Sequence, residues 1–234
     1  MACAAGGGKN GPAGAAAHLG IDLADYDAKI RTFIPDYETM IDLAAFALQV
    51  TARRRAPIVV DLGIGTGALA ERCLARIPAA RIVGVDEDDA MITAARRRLG
   101  RGLRSVIHGS FETLDLPQCD AMVASLSLHH VPTPERRLAL FRRLHAALRP
   151  GGVLISADCY PEGNARLAAV DRAAWLRHLE MSYSPPVARQ YLRAWAKEDH
   201  YARLVDELDT LRHAGFAVNI PARRGTFAVV VGSR

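Results

Sequence analysis

The sequence predicts an α/β fold: a doubly wound, mostly parallel seven-stranded sheet with an antiparallel terminal strand and a helical lid. Three observations predict it. Short apolar runs alternate with segments of helical period from Pro57 to Asp158. A glycine-rich loop, Gly63-Ile64-Gly65-Thr66-Gly67, follows the first apolar run. Two later strand-like runs, residues 216–220 and 226–231, are divided by Pro221-Ala222-Arg223-Arg224-Gly225 and read as a hairpin.

Residues 1–20 are rich in Gly and Ala with few large side chains, so a disordered tail is expected there and one domain over 21–234. Apolar residues at helical spacing fill 21–33, and Pro35 interrupts them. Asp36 is placed to cap a second helix to about Val50, with Met40, Leu43, Ala44, Ala47 and Leu48 on one face. Strands are expected at 57–62, 81–86, 105–108, 121–125 and 153–158, with helices at 67–77, 89–99 and 134–148. The turn Arg149-Pro150-Gly151-Gly152 separates the last of these helices from the fifth strand. Residues 161–214 break the rhythm, being helical apart from Ser184-Pro185-Pro186, and hold both tryptophans, Trp175 and Trp195. With residues 21–52 they are the natural lid, because ligands of such sheets sit at the carboxyl ends of the strands.

Thirty basic residues against 25 acidic ones give a formal charge of +5, and only Lys9, Lys29 and Lys197 are lysines. Arg53-Arg54-Arg55 and Arg96-Arg97-Arg98 with Arg101 and Arg104 are the candidate basic patches, read as solvated helix ends. Nucleic acid is therefore not the expected partner. Cys3, Cys73, Cys119 and Cys159 lack C-x-x-C spacing, which argues against a zinc or disulfide framework and fits a reducing compartment. The first residues lack the basic and apolar regions of a signal peptide, and no run nears the roughly 18 apolar residues of a membrane span. A cytoplasmic protein without a membrane partner is expected, and a homodimer is left open.

Asp61 is the most informative residue. It stands at the mouth of the glycine loop, where a pyrophosphate would be repelled by a carboxylate a few Å away. A cationic ligand suits it, and S-adenosylmethionine (SAM) brings a sulfonium and an ammonium group. The spacing alone stays ambiguous, since Gly63, Gly65 and Ala68 also satisfy the G-x-G-x-x-G/A dinucleotide fingerprint. Asp86, ending the second strand, suits ribose hydroxyls in either case.

The set Asp61-x-Gly63-x-Gly65-x-Gly67, then Asp86, then Leu148-Arg149-Pro150-Gly151-Gly152, resembles the class I SAM-dependent methyltransferases over roughly residues 21–234. Tyr26-Asp27, Arg31, Phe33-Ile34-Pro35-x-Tyr37 and Ser125-Leu126-Ser127-Leu128-His129-His130 look like the branch near the carboxy-SAM synthases of transfer-RNA modification. The resemblance implies a Rossmann-like class I methyltransferase fold with SAM as cofactor. It places Gly63 and Gly65 against the methionine part, Asp61 near the ammonium and Asp86 on both ribose hydroxyls. It sets Glu87 and Met91 beside ribose and adenine, Ser110 and Phe111 at the adenine, and Ser125, Leu126 and Ser127 along the methionine tail. The acid common in the family after strand three is missing from Gly109-Ser110-Phe111. Tyr26 and Arg31 would close from the lid, Arg31 toward the SAM carboxylate.

Candidates for acid–base work are His130, Asp158 and Tyr160, with Glu162 beside them. Adjacent residues after a strand generally point opposite ways, so at most one of His129 and His130 is expected to face substrate. Phe111, Tyr26 and the lid aromatics also have an ordinary reading as core. The leading functional reading is methyl transfer to O, N or C of a small molecule. A second is a non-methylating SAM enzyme, either a cyclase releasing methylthioadenosine or a carboxy-SAM synthase with Arg189 or Arg193 on the new carboxylate. A third is a tRNA-binding or SAM-sensing module without turnover. No metal site is expected.

Overall fold

The computed structural model describes residues 22–234, so the expected tail lies outside the described residues. Seven strands form one sheet: β1 (Ile58–Leu62), β2 (Arg81–Asp86), β3 (Leu103–His108), β4 (Cys119–Ser125), β5 (Leu148–Cys159), β6 (Ala217–Arg224) and β7 (Phe227–Ser233). Their order is β3-β2-β1-β4-β5-β7-β6, with β7 antiparallel between β5 and β6 and the first five strands parallel. Eight α-helices accompany them: α1 (Tyr26–Phe33), α2 (Tyr37–Thr51), α3 (Ala68–Arg76), α4 (Asp89–Leu99), α5 (Pro134–Ala147), α6 (Ala165–Glu180), α7 (Pro185–Glu198) and α8 (Leu204–His213).

Both sheet faces are buried, as the β-α alternation requires. Val59, Ile82, Val123 and Ile155 join one core cluster with residues of α2, α3 and α4. Val60, Val83, Met122 and Leu154 join the other with Leu140, Phe141 and Leu144 of α5 and Leu211 of α8. The expectation that 161–214 is lid throughout is thereby corrected, because α8 packs on α5 and β6 as part of a sheet layer. What remains above the strand ends is α1, α6 and α7. They share an aromatic knot in which Phe33 meets Tyr191 and Trp195 at 5.0 and 5.2 Å, and Trp175 stacks on Trp195 at 5.6 Å. Trp175 Nε1 donates to the Phe33 carbonyl at 2.7 Å, and the hydroxyls of Thr32 and Tyr183 are 2.7 Å apart.

Two local expectations also change. Asp36 precedes α2 but has φ 55° and makes no capping bond; its carboxylate meets Arg224 instead. The turn 149–152 does not separate α5 from β5. Leu148 already pairs with Cys119, and Val153 pairs with Ala121, so the four residues bulge from a continuous strand, with Gly151 at φ 76°.

The site is positioned from below by a buried ion pair. Arg137 of α5 donates to Glu207 of α8 at 3.1 and 3.3 Å and to the carbonyls of Val131 and His200. It thus ties the turn after β4 to the loop after α7, and His200 N–H donates to the His129 carbonyl at 3.0 Å. Burial pushes the Glu207 carboxyl up to about 7, with Arg137 pulling it down. Arg137→Ala leaves Glu207 buried without its partner and should destabilise the fold by about 3–5 kcal/mol in urea unfolding. The double change Arg137→Met with Glu207→Leu should lose far less, since no charge is then stranded.

Candidate functional site

Parallel register sets the strand ends side by side: Leu62 pairs with Val85 and Ala124, Asp86 with His108, and Ser125 with Ala157. Over these ends opens a cleft of about 810 Å³. The structure brings Tyr26, Asp61, Gly63, Gly65, Asp86, Glu87, Ser110, Phe111, Ser125, Leu126 and His130 to it. It does not bring Arg31, Met91, Asp158 or Tyr160 there.

Each outlier has a physical reason. Arg31 turns outward, with Nε 2.5 Å from Glu38. Met91 is on the inner face of α4 and fully buried. Tyr160 leaves β5 on the α5/α8 side, where its hydroxyl is 2.7 Å from that of Ser156. Asp158 also points away from the cleft. It accepts the backbone N–H groups of Leu128, His129 and Cys159 and meets His129 Nδ1 at 2.6 Å. Neither Arg189 nor Arg193 lines this cleft.

The glycine loop hangs on β2. The N–H groups of Gly63 and Ile64 donate to the Val85 carbonyl at 2.9 Å, and Gly65 N–H donates to Asp86 Oδ2 at 2.8 Å. Asp86 Oδ1 accepts Asp88 N–H at 2.9 Å. A carboxylate offers about four acceptor positions, so Asp86 keeps roughly two for a ligand. Burial raises its pKa. Asp61 is more constrained: it is 1% exposed, and its Oδ2 has no hydrogen-bond partner among the described residues. Burial, with Asp86 adding repulsion against a backbone bond from Ala70, pushes its carboxyl up to about 8. Ser125 Oγ is likewise buried without a partner beside the cleft.

Seven acids line the cleft: Asp61, Asp86, Glu87, Asp88, Asp89, Glu112 and Glu198. Lys and Arg are absent among its described lining residues. Glu112 lies one position past the loop triplet in which an acid was missed, and Arg136 holds its carboxylate at 2.8 Å. Thr66 and Glu198 were also not singled out by the sequence, and Tyr37 entered only as part of the resemblance. Thr66 and Asp27 mark a latch from α1 to the loop: Thr66 Oγ1 donates to Asp27 at 2.7 Å, and Arg98 bonds both. Arg98 is therefore more than a solvated helix end.

A second, smaller cavity of about 60 Å³ adjoins the cleft and shares Tyr26, Leu126 and His130 with it. Its walls include Phe33, Trp175, Trp195, Tyr201 and Phe227, with His129 and Asp199 as polar members. Leu126, between the two cavities, has φ 51°, a conformation that strains a branched side chain. The two imidazoles do not point opposite ways. A single 3₁₀ turn, Leu128–His130, carries them, and their ring centroids are 4.2 Å apart. The alternation of a strand does not apply on such a turn.

Residues 59–152 match a family model described as a methyltransferase domain. A carboxy-S-adenosyl-L-methionine synthase of Citrifermentans bemidjiense is 32% identical over 138 residues, covering 56% of this chain and 53% of that protein. A trans-aconitate 2-methyltransferase of Variovorax paradoxus is 41% identical over 103 residues, 41% of this chain and 36% of the relative. The chain thus spans about half or less of these curated relatives. Human N-acetylserotonin methyltransferase, solved in complex with SAM, superposes with a TM-score of 0.62 at 18% identity, covering 91% of this chain and 55% of that one. No helix among the described residues is long and apolar enough to cross a membrane.

Two stability measurements probe the loop and its acid. A Cβ on Gly63 would lie 2.7 Å from Ser127 Cβ, whereas one on Gly65 meets nothing within 4 Å, although both have positive φ. Gly65→Ala should cost about 1–2 kcal/mol from backbone strain alone, and Gly63→Ala clearly more. For Asp61 the folded pKa lies above the unfolded one, so the ligand-free protein loses stability as pH rises from about 4 through about 8. Asp61→Asn should flatten that fall and raise Tm near pH 8.

Proposed function

We propose that this chain, which carries a methyltransferase domain of the class I SAM-dependent fold, binds SAM in the acidic cleft and methylates a small molecule where that cleft meets the aromatic cavity. One observation carries this reading. A cleft lined, among the described residues, by seven carboxyl side chains and no Lys or Arg suits a sulfonium and an ammonium and repels a pyrophosphate. The buried groups fit the cofactor too, since Asp61 Oδ2 and Ser125 Oγ at the cleft wall have no hydrogen-bond partner among the described residues. Bound there, SAM supplies an electrophilic methyl group.

The chain's own residues then hold, orient and enclose. Asp61 faces the ammonium, Asp86 takes the ribose hydroxyls with its two remaining acceptor positions, and Glu87 borders the ribose. Gly63 and Gly65 let the backbone approach the methionine part, with Ser125 and Leu126 along its other side. Phe111 packs on the adenine, where Ser110 offers a hydroxyl. Tyr26 closes from α1, and α6 and α7 exclude water around the acceptor. His130 remains a candidate for accepting a proton because it borders both cavities. Arg31, Met91, Asp158 and Tyr160 line neither cavity and have no part in holding cofactor or substrate in this reading. Carboxymethyl chemistry needs a cation beside the new carboxylate, and among the described residues neither cavity has a lining Lys or Arg. Methyl transfer is therefore preferred, although a carboxy-SAM synthase is among the relatives.

Calorimetry with S-adenosylhomocysteine tests the cofactor site. Near pH 7 Asp61 is mostly protonated in the ligand-free protein, and a facing ammonium lowers its pKa from about 8. Binding should release up to one proton, seen as a buffer-dependent enthalpy, and tighten with pH until about 8. Asp61→Asn should abolish the release. Asp86→Ala should weaken binding roughly tenfold to a hundredfold with folding retained. Unchanged affinity in both variants would overturn the assignment.

A further inference from the structure

We propose that His129, His130 and Asp199 form a binding site for a divalent transition-metal ion at the junction of the cleft and the aromatic cavity. One ligand atom from each residue lies within 4.8 Å of the other two. Asp199 Oδ1 is 3.8 Å from His129 Nε2 and 3.6 Å from His130 Nδ1. Ligands on a tetrahedral ion with bonds of roughly 2.0–2.2 Å sit about 3.4 Å apart, so those two spacings need only a few tenths of an ångström. The two imidazole nitrogens lie within 4.8 Å of each other, the spacing that must close most around an ion, and His130 is 44% exposed.

The residues behind the ligands argue for a site more strongly than the ligands alone. Asp158 holds His129 Nδ1 at 2.6 Å and is itself fixed by three backbone N–H groups, which leaves Nε2 as the nitrogen facing Asp199. A carboxylate behind a histidine is the usual support for a metal-ligating imidazole, because it sets the tautomer and raises the ring's basicity. Tyr201 donates to Asp199 Oδ2, so Oδ1 is the oxygen turned to the imidazoles. His200 N–H and the Arg137 pair anchor the loop that carries Asp199 to the turn that carries the histidines. Two imidazoles and one carboxylate suit zinc and similar ions, and three protein ligands leave positions for another molecule. This replaces the expectation of no metal, which rested on cysteine spacing. A role for the ion in holding the acceptor's lone-pair atom rests on the proposed methyl transfer; the ion site itself does not.

The test is titration of the chelator-stripped full chain with Zn²⁺ by calorimetry, with Co²⁺ as a visible-absorption reporter and no cofactor present. One equivalent should bind with a Kd below ~1 µM. Asp158→Asn should weaken it about tenfold or more through His129. His130→Ala and Asp199→Asn should each weaken it at least as much; His130 is exposed, so its variant keeps the test valid if a buried change unfolds the chain. His178→Ala, at a histidine that lines neither cavity, should bind as the parent does. If the parent binds no Zn²⁺, or binds it equally after His130→Ala and Asp199→Asn, the cluster is an imidazole–carboxylate ion pair only and the proposal fails. S-adenosylhomocysteine binding by the same stripped protein is read separately, so either reading can fail alone.

Discussion

The parallel register of β1, β2 and β4 is the constraint on which the rest depends. Leu62 beside Val85 and Ala124 brings three strand ends level, and the glycine loop, Asp86 to Asp89 and Ser125 to Ser127 of the cleft follow directly from them. A slip of one residue would turn Asp61 to the opposite face and carry Val60 into its place. The register is held by both faces at once, since Val59, Ile82 and Val123 are buried on one side and Val60, Val83 and Met122 on the other.

That geometry concentrates charge. Asp61 and Asp86 lie at the ends of neighbouring strands; burial disfavours ionisation of both, and the Asp86 charge disfavours that of Asp61 further. A protein gains nothing in stability from such a pair, so the arrangement makes sense as a site that a cation completes. The latch through Asp27, Thr66 and Arg98 connects the same loop to α1, and α1 carries Tyr26 over the cleft. Cofactor and lid thus meet through one hydrogen-bonded group.

Much of this was legible in the sequence. Periodicity located every strand, and Asp61, the loop glycines and Asp86 follow from local chemistry, because strand ends and tight turns are written in contiguous residues. The failures have a common cause. Tyr160 and Asp158 were expected to face the acceptor, but Tyr160 joins the core under α5 and α8, and Asp158 stands behind His129, held by it and by three backbone N–H groups. The two histidines were read by the alternation of a strand while they occupy a 3₁₀ turn. Asp199 and Tyr201 reach the histidines from some seventy residues away, where no local pattern announces them. Arg31 resembles a cofactor ligand in sequence, but Glu38, in the first turn of the next helix, holds it outward.

The central claim is that the acidic cleft over the strand ends holds SAM with its ammonium at Asp61 and its ribose at Asp86. A crystal structure with S-adenosylhomocysteine tests it most directly. The account predicts both ribose hydroxyls within hydrogen-bond distance of the Asp86 carboxylate and the amino group facing Asp61, with adenine against Phe111. Density for the ligand elsewhere, or a ribose turned away from Asp86, would contradict it.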